Sequence, residues 1–69
     1  MVDNTLAEKI REDIKYFHSH GIDLTETDLI DTLTDYRTCK EEYGVHITYS
    51  DYKETVTKVL RRFGYDIEW

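Results

Sequence analysis

Ser50-Asp51-Tyr52-Lys53-Glu54-Thr55-Val56-Thr57-Lys58-Val59-Leu60-Arg61-Arg62-Phe63-Gly64 holds the clearest pattern in the chain. Tyr52, Val56, Val59, Leu60 and Phe63 recur at spacings of three and four, which gathers them on one face of a helix. Lys53, Lys58, Arg61 and Arg62 fall on the other faces. Gly64 follows as a stop, because glycine enters the left-handed conformation that ends a helix at little steric cost. The pattern predicts a helix over residues 50–63 with an apolar face to bury, and the rest of the chain must supply its partner surface.

Working outward, Leu29, Leu33, Tyr36 and Tyr43, broadened by Ile30, supply the buried stripe of a helix over residues 27–43. Thr25 and Thr27 offer caps at its start, and Gly44 closes it. A third stripe, Leu6, Ile10, Ile14 and Phe17, predicts a helix over residues 5–19, capped by Asp3, Asn4 or Thr5 and ended at Gly21. Between and after these, Ile22 and Leu24 flank Asp23, Val45 and Ile47 alternate with His46 and Thr48, and Tyr65, Ile67 and Trp69 alternate with Asp66 and Glu68. Period-two alternation predicts short extended segments at 22–24, 45–48 and 65–69, the last pairing with one of the others. With no proline, repeat, linker or low-complexity tract, residues 1–69 are expected to form one small domain. The fold class is mainly α: a three-helix bundle or a winged-helix-like arrangement with extended pieces.

Thr27-Asp28-Leu29 opening a helix, Gly44 closing it, Thr48-Tyr49-Ser50-Asp51-Tyr52 opening the next, and Phe63-Gly64-Tyr65-Asp66-Ile67 turning into a strand carry a resemblance over residues 24–67. In this order of elements the segment resembles winged-helix domains, including those attached to viral and plasmid replication proteins. The resemblance implies a last helix lying in the major groove of DNA and a wing touching backbone phosphate. Ser50, Lys53, Lys58, Arg61 and Arg62 would then face nucleic acid, mostly as phosphate contacts that position without reading sequence.

Charge points the other way. Nine Lys and Arg against fifteen Asp and Glu give a net charge of −6, which opposes approach to nucleic acid or an anionic membrane surface. Asp28, Asp31 and Asp35 fall at helical spacing and present a row of carboxylates, with Glu41 and Glu42 further along. That row is either an ordinary solvated face opposite Leu29 and Leu33 or the contact surface of an acidic regulator or inhibitor that binds another protein, nucleic-acid-processing machinery of a viral or mobile-element type included. Tyr36, Tyr43 and Tyr52 fall on apolar faces and are expected in the core with their hydroxyls reaching the surface. Tyr16, Tyr49 and Trp69 are the better candidates for contact with a partner. Trp69 covers the last helix or completes a homodimer over Tyr65 and Ile67. Protein binding is therefore the first expectation and nucleic-acid binding through the basic last helix the alternative.

Catalytic and cofactor chemistry find no foothold. Cys39, the single cysteine, sits near an apolar stripe where a buried, inert thiol is the ordinary state. Gly21, Gly44 and Gly64 stand alone, so no phosphate-cradling loop exists. His18-Ser19-His20 with His46 and Cys39 lacks the spacing of common metal sites, since neighbours two apart diverge on a helix. No enzyme, metal or cofactor is expected. No run approaches the roughly 20 apolar residues of a membrane span, and no apolar leader or cysteine framework suggests export, so the expected location is the cytoplasm.

Overall fold

Asp3 begins the first helix. Its carboxylate accepts the Leu6 amide at 2.9 Å, satisfying one of the free N–H groups of α1, Asn4–Ser19. The computed structural model describes residues 3–69, so positions 1–2 of the expected domain lie outside the described residues. α1 buries Leu6, Ala7, Ile10 and Ile14, with Phe17 half-buried beyond them. It ends where Gly21, at φ +69°, turns the chain and lets the Ile22 amide return to the Phe17 carbonyl.

The chain is mainly helical, with four α-helices, and no strand occurs among the described residues. The helix expected over 27–43 is two: α2, Leu29–Thr34, and α3, Tyr36–Tyr43. The break sits at Asp35, whose backbone is extended at φ −102° and ψ 109°. Its side chain accepts the Thr38 amide at 3.2 Å, so it caps α3 in place of continuing α2. Thr34 just before it turns its hydroxyl back onto the Ile30 and Asp31 carbonyls. Local side-chain bonds of this kind compete with the helical ladder. α4, Tyr49–Arg62, matches the expected helix closely and is capped by Thr48, with the Asp51 amide donating to the Thr48 hydroxyl at 3.3 Å.

The three alternating segments are not paired as strands. At 22–24, Asp23 accepts the Thr25 amide and hydroxyl and winds Leu24–Glu26 into a 3-10 turn. At 45–48, the Val45 amide is spent on the Lys40 carbonyl beyond α3, and Ile47 offers its carbonyl to the Tyr36 hydroxyl. At 65–69, the Tyr65 amide closes α4 on the Leu60 carbonyl, and the tail then runs back along α4 until the Trp69 indole donates to the Thr57 hydroxyl at 2.8 Å. In each case the first amide of the segment is bonded back to the preceding helix: Ile22 to the Phe17 carbonyl, Val45 to that of Lys40 and Tyr65 to that of Leu60. No wing strand forms at 65–69.

The core joins α1 and α4, with Leu24, Leu33, Cys39, Tyr43 and Val45 closing it from the other elements. Thr55 is fully buried on α4, and its hydroxyl donates to the Asp51 carbonyl and accepts the Asp3 amide at 2.9 Å, which fixes the start of α1 against α4. Tyr52 is buried and donates its hydroxyl to the Leu33 carbonyl, pinning α4 to the end of α2. Tyr43 is likewise buried, with its hydroxyl on Asp13 at 2.7 Å. The Tyr52 hydroxyl therefore ends inside the molecule, where the sequence suggested that it would reach the surface, whereas the Tyr43 hydroxyl makes a part-buried bond to Asp13. No helix among the described residues is long and apolar enough to cross a membrane.

Candidate functional site

A helical turn of about 3.6 residues sets two different sides of α1 next to its buried stripe. Asp13, Tyr16 and Phe17 lie on one side, and Asn4, Ala7 and Arg11 on the other. Each side borders a groove, and the two grooves differ in charge.

The first groove, about 420 Å³, runs between α1, the segment 27–32 and the end of α3. Phe17, Leu29 and Tyr43 give it an apolar lining, Tyr16 stands at its edge, and Asp13, Asp28 and Glu42 are its charged residues. Among the described residues no lysine or arginine lines it. Tyr16 is the most exposed large apolar side chain among the described residues, at 60%, with its ring centroid 4.5 Å from that of His20. The Tyr43 hydroxyl donates to Asp13, and this buried phenol is held well above its ordinary pKa, chiefly by desolvation and then by the Asp13 bond. Asp13 is the member of the set that sequence reasoning missed. It lies three residues from Ile10 and four from Phe17, at the margin of the α1 stripe, and that placement was the available signal.

The carboxylate row expected along one helix is divided. Asp28 precedes α2 and lines the groove, Asp31 is exposed on α2, and Asp35 is the junction cap, its carboxylate turned to the Thr38 amide. Glu41 and Glu42 point into different surroundings. Glu42 belongs to the acidic groove, whereas Glu41 pairs with Arg37 at 3.3 Å beside a second hollow of about 600 Å³ lined by Tyr36, Lys40, Val45 and His46. Of the expected protein-contact residues, then, Tyr16, Asp28 and Glu42 converge. Trp69 lies apart, 44% exposed and edge-on to Tyr52, with its centroid 5.5 Å away.

The basic residues of α4 are also divided. Lys53 sits over the Tyr49 and Trp69 rings at 5.4 and 5.5 Å. Arg61 approaches Asp66 at 3.9 Å, and Ser50 is exposed in the first turn. Lys58, paired with Glu54 at 3.3 Å, and Arg62 border the other groove of α1, about 190 Å³, together with Asn4, Ala7, Arg11 and Val59. Arg11 was not anticipated, because it lies far from α4 in sequence. Its spacing of four from Ala7 and seven from Asn4 is the pattern that places it there.

The remaining reactive groups are inert or scattered. Cys39 is fully buried, and burial pushes its thiol up to about 11. The Asp23 carboxylate is held below its ordinary range by the Thr25 amide and hydroxyl. Among the described residues no three His, Cys, Asp or Glu side chains gather so as to hold a metal ion. Compared with family models, with curated proteins and with solved structures, the chain matches none.

Proposed function

We propose that the chain is a non-catalytic acidic binding module, a regulator or inhibitor, that docks on another protein through the groove between α1, residues 27–32 and α3. The observation that carries this is the composition of that groove: three carboxylates, Asp13, Asp28 and Glu42, around an apolar lining, with no cation among its lining residues. Such a surface suits a cationic amphipathic segment, whose apolar side chains leave water against Phe17, Leu29 and Tyr43 while its lysines or arginines meet the rim. Tyr16 adds an exposed ring of the type that anchors interfaces.

The test uses a synthetic amphipathic helical peptide of lysine and leucine, titrated into the labelled protein and followed by amide shifts. Asp28→Asn with Glu42→Gln should weaken binding at least ten-fold, whereas Asp31→Asn with Glu41→Gln, an equal loss of charge, should leave it within about two-fold, the scale on which rim charges outside a contact act. Equal weakening by both pairs would mean that bulk charge, not the groove, attracts the peptide. Nucleic-acid contact through α4 in the manner of a winged helix is the second proposal, favoured by the exposure of Ser50, Lys58, Arg61 and Arg62 on one helix. The pairing of Lys58 and Arg61 with carboxylates weakens it.

A further inference from the structure

The chain has four arginines and an excess of acids over bases, fifteen against nine. Among the described residues, Arg37, Lys58 and Arg61 are the cations with a carboxylate within 4.0 Å. Arg37 pairs with Glu41 and Arg61 with Asp66. Arg11 and Arg62 have no carboxylate within 4.0 Å among the described residues, and these two line the same groove although 51 positions separate them in the chain. Lys58 joins them from one turn before Arg62.

We propose that this groove between α1 and α4 binds a phosphate group, gripped by the Arg11 and Arg62 guanidinium groups with Lys58 as a third cation. The guanidinium presents paired N–H donors in a plane that matches two oxygens of a phosphate, and a lysine adds charge without that geometry. Asn4 supplies an uncharged polar group at the edge, and Ala7 and Val59, both nearly buried, form an apolar floor. Size narrows the ligand. At about 190 Å³ the groove is smaller than the roughly 300–1,000 Å³ of pockets that enclose drug-sized molecules. A single tetrahedral oxyanion fits this scale, with the remainder of any larger ligand outside. Arg11 is half-buried, so its charge is partly removed from water without a counter-charge, and an incoming anion offsets that cost. The acid in the way is Glu54, on Lys58 at 3.3 Å. A phosphate must share or displace that contact, which places the main grip on the arginines.

The phosphate comes from one of two sources, the free ion or the backbone of a nucleic acid, and the site does not depend on the acid-rimmed groove. The experiment follows the arginine Nε–H resonances of the labelled full chain at constant ionic strength in chloride, against inorganic phosphate in one arm and a short DNA duplex in the other. Saturable shifts at Arg11 and Arg62 are expected, with Arg37 still. Arg11→Gln with Arg62→Gln should weaken the response at least ten-fold, and Lys15→Gln with Arg37→Gln, an equal loss of charge at exposed positions outside the groove, should not. Saturation by the duplex at lower concentration than the free ion assigns a nucleic-acid phosphate, and saturation by the ion alone assigns a small-anion site. Either supports the proposal. Shifts that rise without saturation, or equally at all four arginines, overturn it, as does an undiminished response in the Arg11 and Arg62 variant. Should that variant fail to fold, the wild-type shift map still decides. Binding of the lysine–leucine peptide is unaffected by a negative result, so the two proposals fail separately.

Discussion

The two grooves beside α1 share a helix and differ in sign. One gathers Asp13, Asp28 and Glu42 about an apolar lining, and the other gathers Arg11, Lys58 and Arg62 over Ala7 and Val59. The charged residues that line the two grooves cancel, three against three, so the net charge of −6 comes from the rest of the chain. Salt screens exposed charges beyond the Debye length of about 8 Å at physiological strength, so the charges nearest a partner dominate the field that it meets. Each groove therefore presents its own field to a partner, and the overall sum predicts neither.

The largest expected effect erases the comparison altogether. Ile10 lies in the α1 stripe between the two grooves and is fully buried. Ile10→Ala should cost about 2–5 kcal/mol in urea unfolding, and both binding responses should fall together with the folded fraction. A loss under about 1 kcal/mol, the range of surface substitutions, would show that α1 is not the shared wall.

A smaller change sharpens the contrast. Tyr43→Phe removes the hydroxyl that holds Asp13 at 2.7 Å. About 1.5 kcal/mol should be lost, the scale of a hydrogen bond to a charged group. Peptide docking should weaken while the phosphate response stays unchanged. Equal change in both would mean that the grooves are coupled through the core.

The smallest effect at neutral pH becomes visible only in alkali. Cys39 stands behind the α3 wall of the acidic groove, with its thiol raised from 9.0 to about 11. The folded state therefore holds a proton that the unfolded chain releases sooner, and stability should be constant below pH 9 and fall as pH rises toward 11. Thiol-reagent labelling at pH 8 should be slow and limited by opening. Rapid labelling there would contradict the buried position.

Much of the frame was legible in the sequence. The apolar stripes of α1 and α4 stood out because each runs more than three turns on one face; Gly21 marked the end of α1, and its cap was narrowed to Asp3, Asn4 or Thr5, of which Asp3 takes the role. The split at Asp35 was hidden, since Leu29, Leu33 and Tyr36 keep helical spacing across it while Thr34 and Asp35 redirect the backbone through local bonds. Alternation at Tyr65, Ile67 and Trp69 looked like a strand, yet it also describes a tail laid along a helix, and only a backbone partner distinguishes the two. Tyr16, Asp28 and Glu42 were legible singly. Their meeting with Asp13, and that of Arg11 with Lys58 and Arg62, depends on how α1 packs, which no local pattern encodes.

The bond from the Asp3 amide to the Thr55 hydroxyl spans 52 positions of the chain. During synthesis, at about 5–20 residues per second, α1 is made some seconds before α4 is complete to receive it. Through that interval Leu6, Ile10 and Ile14 have no native cover, so the order of manufacture, rather than the strength of the finished core, sets when this chain is most open to aggregation and proteolysis.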